Sequence, residues 1–203
     1  MPAQLEDTTA PALYRTSGPP PYPTPSDPSL PPAIKARQIT LRDRSTIATL
    51  MPFATPTSVP PRLLEYLASQ MNEEIEKGDT YPMVHAFTTS TFGTYWFQNF
   101  GAIMVYGEVA DGNQLAQMDQ DGAKWEELCL GSFYIKPNYP GRSSHVCNGG
   151  FLVTQAARNK GVGRQMGEVY IEWAPKLVGY TPLVVLYHAK TRFLRGIHTV
   201  FSI

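Results

Sequence analysis

The chain has 203 residues, 42% of them hydrophobic and 11% aromatic, which allows one ordinary domain plus a tail and excludes a disordered composition. Its 17 basic and 17 acidic side chains cancel, so no net charge recruits nucleic acid or an acidic membrane surface. With two cysteines, an acidic, proline-containing N-terminus and no apolar run of roughly 20 residues, the composition points to a soluble protein of the cytoplasm, or of cytoplasm and nucleus.

Ten of the 19 prolines lie between Pro2 and Pro32. Such a segment forms neither helix nor interior strand, so residues 1–32 are expected as an extended tail and residues 33–203 as the domain. The tail contains Pro19-Pro20-Pro21-Tyr22, a Pro-Pro-x-Tyr arrangement that fits the aromatic groove of a WW domain. It reads equally as a solvated linker that contains the tetrapeptide by composition.

Residues 37–42 and 47–53 read as two short strands across the turn Asp43-Arg44-Ser45. Pro60 and Pro61 open a helix with Leu63, Leu64, Leu67, Met71 and Ile75 at helical spacing, and Gly78-Asp79 closes it. A second helix is expected over 91–100 and a buried strand over 102–106. Asp111-Gly112-Asn113 begins a polar connection to residue 127. Strands follow over 128–135 and 145–153, separated by a proline-shaped turn from Lys136 to Arg142. The last strand leads through Arg158, Asn159, Lys160, Gly161, Val162 and Gly163 into a helix. Val162, Met166, Val169, Tyr170, Trp173 and Leu177 make one apolar stripe on that helix.

Glycines at a strand-to-helix junction leave several N–H groups without intrahelical partners, in the positive field of the helix dipole. That is an anion site, and Arg158 and Lys160 add charge. A Walker loop is excluded because Arg164 to Met166 do not supply the lysine followed by serine or threonine that it needs after its second glycine. A dinucleotide fingerprint is excluded by Met166 in place of a third glycine and by the lack of an acidic residue over 181–184.

What remains is Arg-x-x-Gly-x-Gly, which resembles the acetyl-CoA pyrophosphate loop of GNAT acyltransferases. Three longer stretches widen the likeness: Gly78-Asp79-Thr80-Tyr81-Pro82, residues 131–142 (GSFYIKPNYPGR) and residues 147–153 (CNGGFLV). Over about residues 37–180 the chain resembles the fungal proline-analogue N-acetyltransferases, which act on azetidine-2-carboxylate and related cyclic imino acids. The resemblance implies an α/β (α+β by some counts) fold, a mixed and mostly antiparallel sheet flanked by helices, with acetyl-CoA as cosubstrate and a small amine or imino acid as acceptor. By it, the amides of Phe151, Leu152 and Val153 face the pantetheine arm and Leu152 supplies the oxyanion contact. Arg158, Asn159, Lys160, Gly161, Val162 and Gly163 hold the diphosphate, Asn148 positions the acceptor, and the chain forms a homodimer. Transfer is then direct, from thioester to neutral amine. No Ser-His-Asp or Cys-His array with supporting spacing suggests otherwise.

His145 and Cys147 share a strand face, and Cys129 would have to join them from another strand for a metal site; ordinary half-buried side chains are the simpler reading. Asn148 also reads as a polar strand residue satisfied by its neighbours. After Tyr180 the resemblance stops. Residues 183–187 are expected as one more strand and residues 181–203 as divergent, leaving the fold incomplete. The explanation is either an altered reading frame, splice or gene model, or a genuine C-terminus. The second function open at this point is a non-catalytic derivative acting as a binding or regulatory chain through a WW-domain partner.

Overall fold

A computed structural model describes residue 23 and residues 27–137, 146–178 and 183–186. The strands are β1 (Arg37–Thr40), β2 (Ile47–Phe53), β3 (Gly101–Tyr106), β4 (Cys129–Tyr134), β5 (Lys136–Pro137), β6 (Val146–Gly149), β7 (Phe151–Val153) and β8 (Leu183–Leu186). The helices are α1 (Pro61–Lys77), α2 (Thr89–Phe97), α3 (Gly112–Gln120), α4 (Trp125–Leu128) and α5 (Val162–Val178). One sheet runs β1-β2-β3-β4-β7 and is antiparallel throughout. A second runs β5-β6-β8, with β5 antiparallel and β8 parallel to β6. This is the mixed, mostly antiparallel α/β arrangement expected.

The two sheets share one ladder. Ser132 faces Leu152 and Lys136 faces Asn148, so the chain running β4 to β5 pairs with the chain running β6 to β7 in a single register. The pairing expected for residues 145–153 as one strand is therefore divided at Gly150. On its far side β6 takes β8, whereas β7 is the edge of its sheet.

Each face of the sheet carries its own core. Along β3, Ala102 and Met104 pack with α5, while Ile103 and Val105 pack with α1 and α2. That division follows from the two-residue period of a strand and explains why β3 is apolar throughout. The α5 stripe, from Val162 to Leu177, lies in the first core; Leu63, Leu67 and Met71 of α1 lie in the second. Leu30, on the tail side of the expected boundary at Ala33, packs against the α5 core.

Three elements depart from the sequence reading. The polar connection over 111–127 contains α3 and α4; Asp111 caps α3, its Oδ1 accepting from Gln114 N at 2.9 Å. Its apolar content is too sparse to show a stripe, since α3 buries only Leu115 and Asp119. Helix α2 starts two residues early, at a capping box between Thr88 and Thr91. Strand β1 stops at Thr40 because Asp43 draws the amides of Ser45 and Thr46 into a turn. The tetrapeptide at 19–22, His145, residues 138–145 and residues 187–203 lie outside the described residues.

Candidate functional site

The edge of β7 follows from its pairing phase. Thr154 N–H donates to Leu130 O at 3.1 Å, and Tyr134 N–H donates to Gly150 O at 3.2 Å. Backbone groups on one strand alternate sides, so those of Gly150, Leu152 and Thr154 face β4, and those of Phe151 and Val153 face the open edge. Phe151 O confirms the direction: it accepts from Tyr81 Oη at 2.9 Å, on the side away from β4. The Leu152 amide, expected as the oxyanion contact, is thus turned into the sheet. The free-edge amides are those of Phe151 and Val153.

Beyond β7 the chain is fastened before it turns. Thr154 is fully buried, and its hydroxyl donates toward Cys129 O at 2.9 Å and Leu130 O at 3.2 Å. A short 3-10 turn (Gln155–Ala157) leads to Arg158. Asn159 and Gly161 then adopt left-handed backbone, with φ of 64° and 81°. A side chain at Gly161 would meet both that conformation and the Cβ of Arg42, 3.4 Å from where its own would lie. The first bonds of α5 run from Arg164 and Gln165 N–H to Gly161 O, at 3.1 and 3.2 Å. The amides of Asn159, Lys160, Gly161, Val162 and Gly163 lie ahead of them, gathered at the positive end of a 17-residue helix. Val162 is buried, so only its backbone is available to a ligand.

The loop's cations have partners. Lys160 Nζ donates to Tyr106 Oη at 3.0 Å. Arg158 Nη2 bonds Glu74 Oε1 of α1 at 2.5 Å. Beside the loop, Arg42, Arg44, Gly161 and Arg164 line a surface groove, with Arg164 bonded to Glu168 at 2.9 Å.

Asn148 is buried on β6, opposite buried Lys136 and beside Val185 of β8. The Lys136 ammonium lies 4.0 Å from the ring centre of Tyr95 and 4.6 Å from that of Tyr134. Burial, and then the neighbouring Tyr95, push the Tyr134 phenol well above its ordinary range. The Tyr81 phenol is raised likewise by burial, so both stay protonated. Tyr81, Tyr95, Glu74 and Lys136 were not singled out from the sequence. Each reaches the site from a distant element or, for Lys136, from a segment that reads as a turn.

The cysteines do not meet. Cys129 belongs to the core under α1 and α2, and Cys147 to the core under α5; burial pushes the Cys129 thiol up to about 12. A metal site joining the two is ruled out by these opposite faces. No helix among the described residues is long and apolar enough to cross a membrane.

No family model matches the chain. It is 36% identical over 175 residues to Protein SPT10 of Saccharomyces cerevisiae, covering 70% of this chain and 27% of that protein. It is 42% identical over 117 residues to N-acetyltransferase aca1 of Schizosaccharomyces pombe, covering 57% of this chain and 54% of that protein. The chain thus spans about half the length of one curated relative and about a quarter of the other. Among solved structures, a GCN5-related N-acetyltransferase from Kribbella flavida superposes with a TM-score of 0.44 at 22% identity, over 64% of this chain and 67% of that one. Beside the strand, glycine loop and helix described above, the chain is thus similar in sequence to an N-acetyltransferase over 57% of its length.

Proposed function

We propose that the chain transfers the acetyl group of acetyl-CoA to the amine of a small molecule, with cyclic imino acids of the proline-analogue type as the acceptor class. The observation that carries this reading is the continuity of two backbone surfaces whose N–H groups take no strand or helix partner among the described residues. The free edge of β7 at Phe151 and Val153 leads directly into the gathered amides of residues 159–163. An extended arm bearing amides fits the first, and a diphosphate fits the second.

In this reading the amine, unprotonated, attacks the thioester carbonyl held along the β7 edge. The C–N bond forms as the C–S bond breaks; coenzyme A leaves as the thiolate, and the proton given up by the amine nitrogen ends on it to give the free thiol. An edge N–H of Phe151 or Val153 donates to the developing oxyanion, a preorganised contact made without reorganisation cost. Asn148, beside the point where β6 and β7 part company, orients the acceptor. Holding both reactants in one cleft supplies much of the rate enhancement, so no covalent enzyme intermediate is required.

The test is release of free thiol from acetyl-CoA with and without azetidine-2-carboxylate. Release that depends on the imino acid is expected. Equal release in both arms would overturn the acceptor assignment.

A further inference from the structure

Arg158 opens the glycine loop, yet its guanidinium is bonded to Glu74 of α1. Its acceptor, Glu74, has a side chain only 9% exposed. The same Oε1 accepts from Lys77 Nζ at 2.8 Å, and Oε2 accepts from Thr80 Oγ1 at 3.4 Å. Two further contacts join the same pair of segments. Gln155 N–H donates to Gln70 Oε1 at 3.2 Å, and Tyr81 Oη donates to Phe151 O at 2.9 Å. Gln70, Glu74 and Tyr81, on α1 and the loop after it, thus grip the β7-to-α5 connection at its 3-10 turn, its arginine and its strand.

We infer that Glu74 is a positioning residue for the diphosphate loop: it anchors Arg158, and Arg158 serves the cofactor by holding the loop's shape rather than by touching phosphate. The inference rests on the acetyl-CoA reading above. A carboxylate this buried is held by two cations, and giving up the one at 2.5 Å would leave it only Lys77, itself half in solvent. Moving Arg158 out to a diphosphate would impose that penalty. The loop amides and the exposed cations beside them need no such rearrangement.

The two roles for Arg158 predict opposite signs for one substitution. If Arg158 bonded phosphate directly, Glu74 would compete for it, and Glu74→Gln would tighten acetyl-CoA. As an anchor, Glu74→Gln loosens the loop and weakens acetyl-CoA despite removing a negative charge. The experiment measures KM and kcat for acetyl-CoA and for S-acetyl-pantetheine, which lacks the nucleotide and diphosphate. Wild type, Glu74→Gln, Arg158→Met and the double variant are compared.

The expected result is a rise of about fivefold or more in KM for acetyl-CoA in each single variant, with the double no worse than either, as for residues acting as one unit. KM for S-acetyl-pantetheine rises far less than KM for acetyl-CoA in every variant, which separates the two thioesters. A lower KM for acetyl-CoA in Glu74→Gln would overturn the inference, as would equal losses for both thioesters, which mark a general loss of fold. Failure of the wild-type chain to bind acetyl-CoA, measured first by calorimetry, would overturn the functional reading itself.

Discussion

The Ser132 hydroxyl stands between two elements. It donates to Ala102 O at 2.8 Å and accepts from the Trp96 indole N–H at 2.8 Å, with serine and tryptophan both buried. Ser132→Ala strands that indole donor, and a loss of about 1–3 kcal/mol is expected by urea denaturation. Gly131, next along β4, has no room for a methyl group, whose carbon would lie 2.5 Å from Leu152 O. Gly131→Ala must push β7 away from β4. A loss of about 1–3 kcal/mol is expected, accompanied by a fall in kcat if the displaced edge carries the oxyanion contact proposed above. Unchanged kcat in the folded variant would remove that contact from β7.

Glu74 also sets a pH signature. Burial alone would raise its carboxyl, but hydrogen bonds from Lys77 and Arg158, with their charges, outweigh it and hold the group below its ordinary 4.5. A carboxylate depressed in the folded state contributes stability that is complete above the unfolded value and lost as pH falls through the folded one. Thermal midpoints of wild type and Glu74→Gln should therefore converge as pH drops below about 4.5, the ordinary value of this carboxyl. A gap that persists undiminished in acid would show that the pair contributes nothing through charge. The groups facing this carboxylate are Lys77 and Thr80 on its own side and Arg158 across from it.

Helix α1 shows what an element borrows from elsewhere. Its N-cap is Pro60, which offers no side-chain acceptor. Asp119 of α3 fills the role from 56 residues away: Oδ1 accepts from Leu63 N–H at 3.1 Å and Oδ2 from Arg62 N–H at 3.2 Å. Trp125 Nε1 donates to the same carboxylate at 2.7 Å. Asp119→Ala takes the acceptor from all three of these N–H donors at a buried position, so a loss of about 2 kcal/mol or more is expected by chemical denaturation. A loss within about 0.5 kcal/mol, the range of an ordinary surface change, would contradict the cap. The apolar stripe and terminal glycine of α1 were legible in the sequence because they are local. The cap was not, because Asp119 sits in a segment with too few apolar residues to read as a helix. Helix α5 was legible whole, since one stripe runs its length against one core.

At the scale of the molecule, the site depends on where two sheets part. The glycine loop was legible because a strand, a glycine pair and an amphipathic helix follow one another in the chain. The identity of the edge amides was not. Whether Leu152 or its neighbours face outward depends on the register of β7 with β4, and no strand discloses its own pairing phase. The contacts of Glu74 and Tyr81 were not legible for a related reason, lying 84 and 70 residues from the groups they hold. The expected strand over 183–187 is present as β8 (Leu183–Leu186), parallel to β6 and not paired with β7.

The most direct test of the account is a thermal-unfolding scan of the whole chain against a rising series of acetyl-CoA concentrations. A ligand that binds only the folded state adds about 2.7 kcal/mol at roughly 100 times its dissociation constant. The midpoint is expected to climb steadily with acetyl-CoA and far less with S-acetyl-pantetheine, which cannot use the loop amides. A cooperative transition at one fixed temperature across the series would mean that the junction of β7 and α5 does not hold the cofactor, and would contradict the account at its centre.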